Sequence, residues 1–150
     1  MYYVNRKQIE VILEQIPDLN EGLRHAAASW DGSTMMGLMQ ERCLHLAVEV
    51  VTDVGSCLID GFIMRDAGSY EDIISIIHDE QVLGDSGIYE ALTSLVALRK
   101  PLVQDYYVWN RQALHPMTAG LPEILERFAA EVRRYLDQEL GSGAISQAGP

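Results

Sequence analysis

The sequence predicts an all-α fold in a single domain. Apolar residues recur at helical spacing almost everywhere, and runs of strict alternation bounded by turn residues are missing. A length of 150 residues is enough for one sizeable core and too short for two. With 48% hydrophobic and 22% charged residues the composition is that of a chain that folds, which excludes wholesale disorder and fibrous classes.

The first helix opens at Asn5, whose side chain can cap it while Gln8 reaches back, and its apolar face is Ile9, Ile12, Leu13 and Ile16. Pro17 interrupts or kinks it. A second helical stretch runs from Asp18 to about Ser29, and Trp30-Asp31-Gly32-Ser33 suits a loop and a helix start. From Ser33 to about Arg65 the stripe Met36, Met39, Cys43, Leu46, Ala47, Val50, Val54, Cys57 and Leu58 continues without proline, which predicts one long central helix ended by Ala67-Gly68. Ser69-Tyr70-Glu71-Asp72 then starts a short helix carrying Ile73, Ile74, Ile76 and Ile77. After the turn Gly84-Asp85-Ser86-Gly87, a helix bearing Ile88, Leu92, Leu95 and Leu98 reaches Arg99-Lys100-Pro101, where proline removes a backbone donor and predicts a kink. The last helix runs from about Thr118 to Leu140 along Leu121, Leu125, Phe128, Val132, Tyr135 and Leu136. Pro122 is tolerated in its first turn and Gly141 stops it. The domain is thus expected over residues 1–140, with 141–150 a disordered tail that has almost nothing to bury.

Twenty-two acidic against 11 basic residues give a formal charge of −11, which opposes a sequence-blind grip on a polyanion such as DNA. Apolar runs are as short as Ile73-Ile74 and Ile76-Ile77, far below the roughly 20 residues that span a bilayer, so no membrane association is expected. The polar N-terminus lacks the apolar core of a signal peptide, which points to the cytoplasm. Cys43 and Cys57 fit that compartment as buried thiols, because about 21 Å of helix separates them.

Glycine-rich phosphate loops are absent, and no Glu and His lie three apart as a di-metal bundle requires. Glu21-His25 and Glu41-His45, four apart, read as side-chain hydrogen bonds and not as metal ligands. No serine, histidine and acid set announces itself, and His25, His45, His78 and His115 are scattered. The segment from Leu98 to Tyr107 differs, because it packs charge, amide and phenol into a helix otherwise apolar on one face. At 100° per residue Arg99 and Tyr106 fall on one stripe that continues Ile88, Leu92 and Leu95 inward. There a guanidinium requires an acidic group or a phosphate, and an Arg-carboxylate pair at a subunit interface is one way to supply it.

The chain resembles the HepT-like branch of the HEPN domains, helical bundles found as toxins beside nucleotidyltransferase antitoxins. The likeness covers most of the chain and includes Tyr3 to Glu10, Gln40 to Glu49 and Ser69 to Asp72. Its specific element is a motif of Arg, four residues, His, one residue, Tyr, commonly with Asn after the Arg and Leu-Val before the His. Here it reads Arg99, Lys100-Pro101-Leu102-Val103, Gln104, Asp105, Tyr106. Arg99, Leu102, Val103 and Tyr106 match, whereas Gln104 replaces the histidine and Lys100 the asparagine.

The resemblance implies an antiparallel bundle and a metal-independent, cofactor-free ribonuclease, active as a twofold homodimer whose motifs face one another across a shared cleft. It implies Arg99 as the phosphate binder, Gln104 at the vacated acid-base position, Asp105 as an orienting group, and Tyr106 lining the cleft as the matching AMP acceptor. Lys100 adds a charge that could retain RNA or nucleotide. An amide cannot exchange a proton near pH 7, so cleavage is expected to be weak or lost. His115 would be the substitute if the chain folds back after Asn110. Two other readings stand beside this one: a non-catalytic module binding a nucleotide or the partner enzyme, and a motif that serves only as interface packing.

Overall fold

The computed structural model describes residues 3–141, and among them every regular element is helical. Six α-helices follow one another: α1 (Arg6–Leu13), α2 (Ile16–Ser29), α3 (Thr34–Gly61), α4 (Tyr70–Asp79), α5 (Tyr89–Ala97) and α6 (Leu121–Leu140). Helix α3 is the axis of the bundle and packs on α1, α2, α4 and α5, while α6 lies along α2. Close approach is built into the sequence. A Cβ on Gly55 of α3 would collide with Ile73 of α4, and one on Gly22 of α2 would lie 2.6 Å from the Cys43 sulfur.

Helix α1 starts as its sequence predicts, with Asn5 Oδ1 accepting the Gln8 backbone N–H at 3.0 Å and the Gln8 side-chain Oε1 accepting from Asn5 Nδ2. It ends at Leu13 because a new helix begins. Pro17 sits in the first turn of α2, where its missing N–H leaves no bond unmade, so it opens a helix that begins two residues before Asp18. Helix α6 carries the predicted face, with Leu121, Leu125, Phe128, Val132, Tyr135 and Leu136 all buried. Its first turn begins at Leu121, three residues after the expected Thr118, because the buried Thr118 hydroxyl is engaged elsewhere. Residues 142–150, where the disordered tail was expected, lie outside the described residues, as do residues 1 and 2.

Two departures concern α3. Its buried stripe is rotated from the expected one: Gly37, Gln40, Leu44, Ala47, Val48, Val51, Val54 and Leu58 are sealed, whereas Met36, Met39, Leu46, Cys43 and Cys57 are half-buried. Both cysteines are free thiols raised above their ordinary range by desolvation, and at Cys57 also by Asp53 and Asp60. The helix also stops at Gly61 and not near Arg65. Ile63 adopts a left-handed backbone, φ 56°, and the Met64 N–H reaches the Ile59 carbonyl at 2.9 Å. That is a Schellman closure with an isoleucine in the position glycine normally takes. Helix α4 ends the same way. Gln81, φ 66°, lets the Val82 N–H bond the Ile77 carbonyl and its own N–H bond that of His78.

The α3–α4 connection is closed by Asp72, which accepts both Arg65 Nη atoms at 2.8 Å and the Gly68 N–H at 2.9 Å, while Ser69 caps α4 through the Asp72 N–H. No helix among the described residues is long and apolar enough to cross a membrane.

Two outcomes follow for stability. A β-branched residue in the left-handed region costs roughly 1–2 kcal/mol, so Ile63→Gly should stabilise the chain by about 1 kcal/mol. In a thermal melt this reads as a rise of about 2–4 °C. The Arg65 guanidinium holds the Asp72 carboxyl down to about 2, from an ordinary value near 4. A carboxyl depressed on folding contributes its stability above about pH 4 and loses it as the pH falls toward 2. Asp72→Asn should therefore be the less stable protein in urea at pH 7, with the gap closing across that acid window.

Candidate functional site

Pro101 has no N–H to continue α5, and the chain responds by widening its helix. The Leu102 N–H still bonds the Leu98 carbonyl, but the Asp105 N–H reaches five residues back to Lys100 at 3.0 Å, making Lys100–Gln104 a π-turn. A 3₁₀ turn over Tyr106–Val108 follows. The expected kink is thus an insertion, and it corrects the stripe drawn at 100° per residue. Arg99 stays half-buried, whereas Gln104 is exposed and Tyr106 and Tyr107 turn outward, 58% and 75% exposed. The two phenol rings meet edge to face, 5.6 Å apart.

Arg99 differs from every other arginine. Of the nine in the chain, seven reach a carboxylate and Arg42 reaches the His45 ring. Arg99 forms no hydrogen bond or ion pair among the described residues, and its Nε is buried without an acceptor. Its guanidinium carbon lies 4.1 Å from the centre of the Tyr70 ring. The carboxylate that the sequence allows for is therefore not supplied among the described residues.

Lys100 and Asp105 bridge the two ends of the π-turn at 2.8 Å, and Asp105 raises the lysine above its ordinary range. Asp105 thus orients Lys100, and the lysine charge is neutralised where it stands. The Gln104 amide makes no hydrogen bond among the described residues and faces solvent.

After the motif the chain returns over the N-terminal half of α3. Gln40 is sealed there, with Oε1 accepting from the His115 N–H (2.9 Å) and the Thr118 hydroxyl (2.7 Å), while Nε2 donates to the Ala113 carbonyl. Glu41 takes Arg111 at 2.5 and 2.9 Å, and Trp30 Nε1 donates to the Gln112 carbonyl. Gly37 lets the Arg111 carbonyl touch the helix, since any Cβ there would collide with it. The result is a cleft of about 400 Å³ lined by Thr34, Tyr106, Tyr107, Trp109, Arg111 and Gln112.

His115 lies on the segment that returns after Asn110. Its ring stacks on Trp109 at 5.5 Å, its Nδ1 accepts the Met117 N–H, and burial lowers it below its ordinary range. The other histidines are placed without chemistry: His25 is exposed, His78 stacks on Tyr89, and His45 bonds Glu49. The expected Glu41–His45 hydrogen bond is thus replaced, because Arg111 binds Glu41, and no Glu21–His25 bond forms among the described residues. No cluster of three or more metal-ligating side chains occurs among the described residues.

Sequence reasoning missed Tyr70 and the Gln40 clamp. Nothing local connects Tyr70 to Arg99, 29 residues later. Gln40 did leave a signal, since it is a polar residue four from Met36 and four from Leu44 on an apolar helix.

Comparison with known proteins matches this geometry. A family model described as "Ribonuclease HepT-like" matches residues 9–131. The chain is 37% identical over 146 residues to "Putative RNase YutE" of Bacillus subtilis (strain 168), covering 94% of this chain and 96% of that protein. The solved structure of YutE from Bacillus subtilis, described as a cytosolic protein of unknown function, superimposes with a TM-score of 0.84. It has 36% identity and covers 95% of this chain and 97% of that one. The single all-α domain, its HEPN-like helix arrangement and the match over most of its length agree: the chain belongs to the Ribonuclease HepT-like family.

Proposed function

We propose that the chain is a disarmed HEPN-type ribonuclease: a homodimer that keeps the phosphate-binding arginine and has weak or no cleavage. One observation carries the reading, namely that Arg99 alone among the arginines has no hydrogen-bonding partner among the described residues, beside a motif whose Gln104 and Tyr106 face solvent. A half-buried guanidinium with open donors is suited to a phosphate, which it grips through two parallel N–H bonds. In the reaction the ribose 2′-oxygen attacks the adjacent phosphorus and the bond to the 5′-oxygen breaks. The 2′-proton leaves to a base, and a proton returns to the departing oxygen. Arg99 serves the charge on the phosphate, but Gln104 cannot serve either proton transfer, at a cost of about 10²–10⁴ in rate.

Tyr106, with its ring outward, is placed as the acceptor through which a nucleotidyltransferase antitoxin would attach AMP. Lys100, already paired with Asp105, contributes less to RNA retention than its charge suggests. The location that fits these partners is the cytoplasm. A second reading, a non-catalytic nucleotide- or partner-binding module, is favoured by Gln104 and Pro101.

The test is metal-free cleavage of a labelled transfer-RNA pool by the natural chain, by Gln104→His, and by Gln104→His combined with Arg99→Ala. The natural chain should be inert or at least about 100-fold slower than Gln104→His, and the arginine change should abolish the gain. Equal cleavage by the natural chain and Gln104→His would show an active enzyme that needs no imidazole there. Inertness of all three would leave the binding module.

A further inference from the structure

Helix α4 opens under the motif arginine, and the ring at its first position faces that cation. Tyr70 is the first helical residue after the Ser69 cap, and the Arg65–Asp72–Gly68 bonds fix the backbone on both sides of it. The Arg99 guanidinium carbon stands 4.1 Å above the ring centre. This contact holds an arginine in a way that a carboxylate cannot. Glu41 holds Arg111 by consuming its Nε and one Nη, the same fork that would grip a phosphate. An aromatic face attracts the cation through its quadrupole and takes none of its N–H donors. At Arg99 the Nη donors are therefore uncommitted while the plane of the group is fixed.

We propose that Tyr70 is a positioning residue for the phosphate-binding arginine: its ring fixes the Arg99 guanidinium while leaving the two Nη groups open to an RNA phosphate. The proposal rests on the reading of Arg99 as the phosphate group. Tyr70 acts through Arg99 and touches no reacting atom. Its hydroxyl has no part in the contact, so phenylalanine serves equally well, and an aliphatic side chain of similar bulk does not.

The experiment measures binding of a short, fully 2′-O-methylated single-stranded RNA, which cannot be cleaved, to the full chain by fluorescence anisotropy at low salt. Tyr70→Phe should bind within about twofold of the natural chain. Tyr70→Leu should bind about 2- to 30-fold more weakly, the range of a cation–π contact from exposed to desolvated. Mono-, di- and trifluorophenylalanine at position 70 keep the ring shape while draining its quadrupole. They should weaken binding in that order, a trend that packing alone would not produce. In an Arg99→Ala background the same substitutions should change nothing. Equal binding by Tyr70→Leu and the natural chain, a flat fluorine series, or an undiminished Tyr70 effect without Arg99 each overturns the proposal. Failure of the underlying reading looks different: the natural chain does not bind the probe, or Arg99→Ala binds as well as it does.

Discussion

The face that carries the motif depends on one side chain sealed from water, the Gln40 amide of α3. An amide so deep in a bundle must find partners, and it finds three on the returning loop, at Ala113, His115 and Thr118. A helical residue thereby dictates the path of a segment that has no regular structure of its own. Gly37 and Glu41, one turn behind it and one residue beyond, complete the grip by admitting the Arg111 backbone and binding its side chain. Replacing Gln40 with an apolar residue would leave the buried Thr118 hydroxyl unpaired, at about 1–3 kcal/mol, together with the part-buried His115 N–H and Ala113 carbonyl. The cleft beneath Tyr106 and Tyr107 would lose its far wall.

The motif itself is shaped by a missing hydrogen atom. Because Pro101 cannot donate, the turn relaxes into a wider one, and the extra residue rotates everything after it. Arg99, before the insertion, keeps its helical direction toward the interior, and Tyr106, after it, points away. An arginine without a hydrogen-bond partner among the described residues and an exposed phenol thus share one short segment without sharing a face, with the Lys100–Asp105 bridge spanning the gap.

Much of this was legible in the sequence, for reasons that vary with the residue. The buried face of α6 and the caps at Asn5, Ser33 and Ser69 were readable because each is a local pattern within about four residues. The end of α3 was not, since it turns at Ile63, a residue type whose chemistry argues against that conformation. The arginine was correctly singled out as a cation in need of a partner. Its inward stripe with Tyr106 failed because a fixed 3.6-residue period cannot anticipate a π-turn. Tyr70 was invisible as a site residue, because its contact with Arg99 exists only once α4 and α5 are packed together.

The pairing of the arginines has a consequence for encounter. Seven of the nine arginines are paired with carboxylates, and the −11 net charge projects a negative field around the molecule. A polyanion approaching from a distance is repelled until it is close enough to meet Arg99. Added salt would screen that repulsion and speed the approach, even as it weakens the final contact. Most proteins that bind nucleic acid are steered to it and slow down as salt rises. For a polyanion meeting this chain the net charge predicts the opposite dependence, in which diffusion past a barrier, and not attraction, sets the rate of arrival.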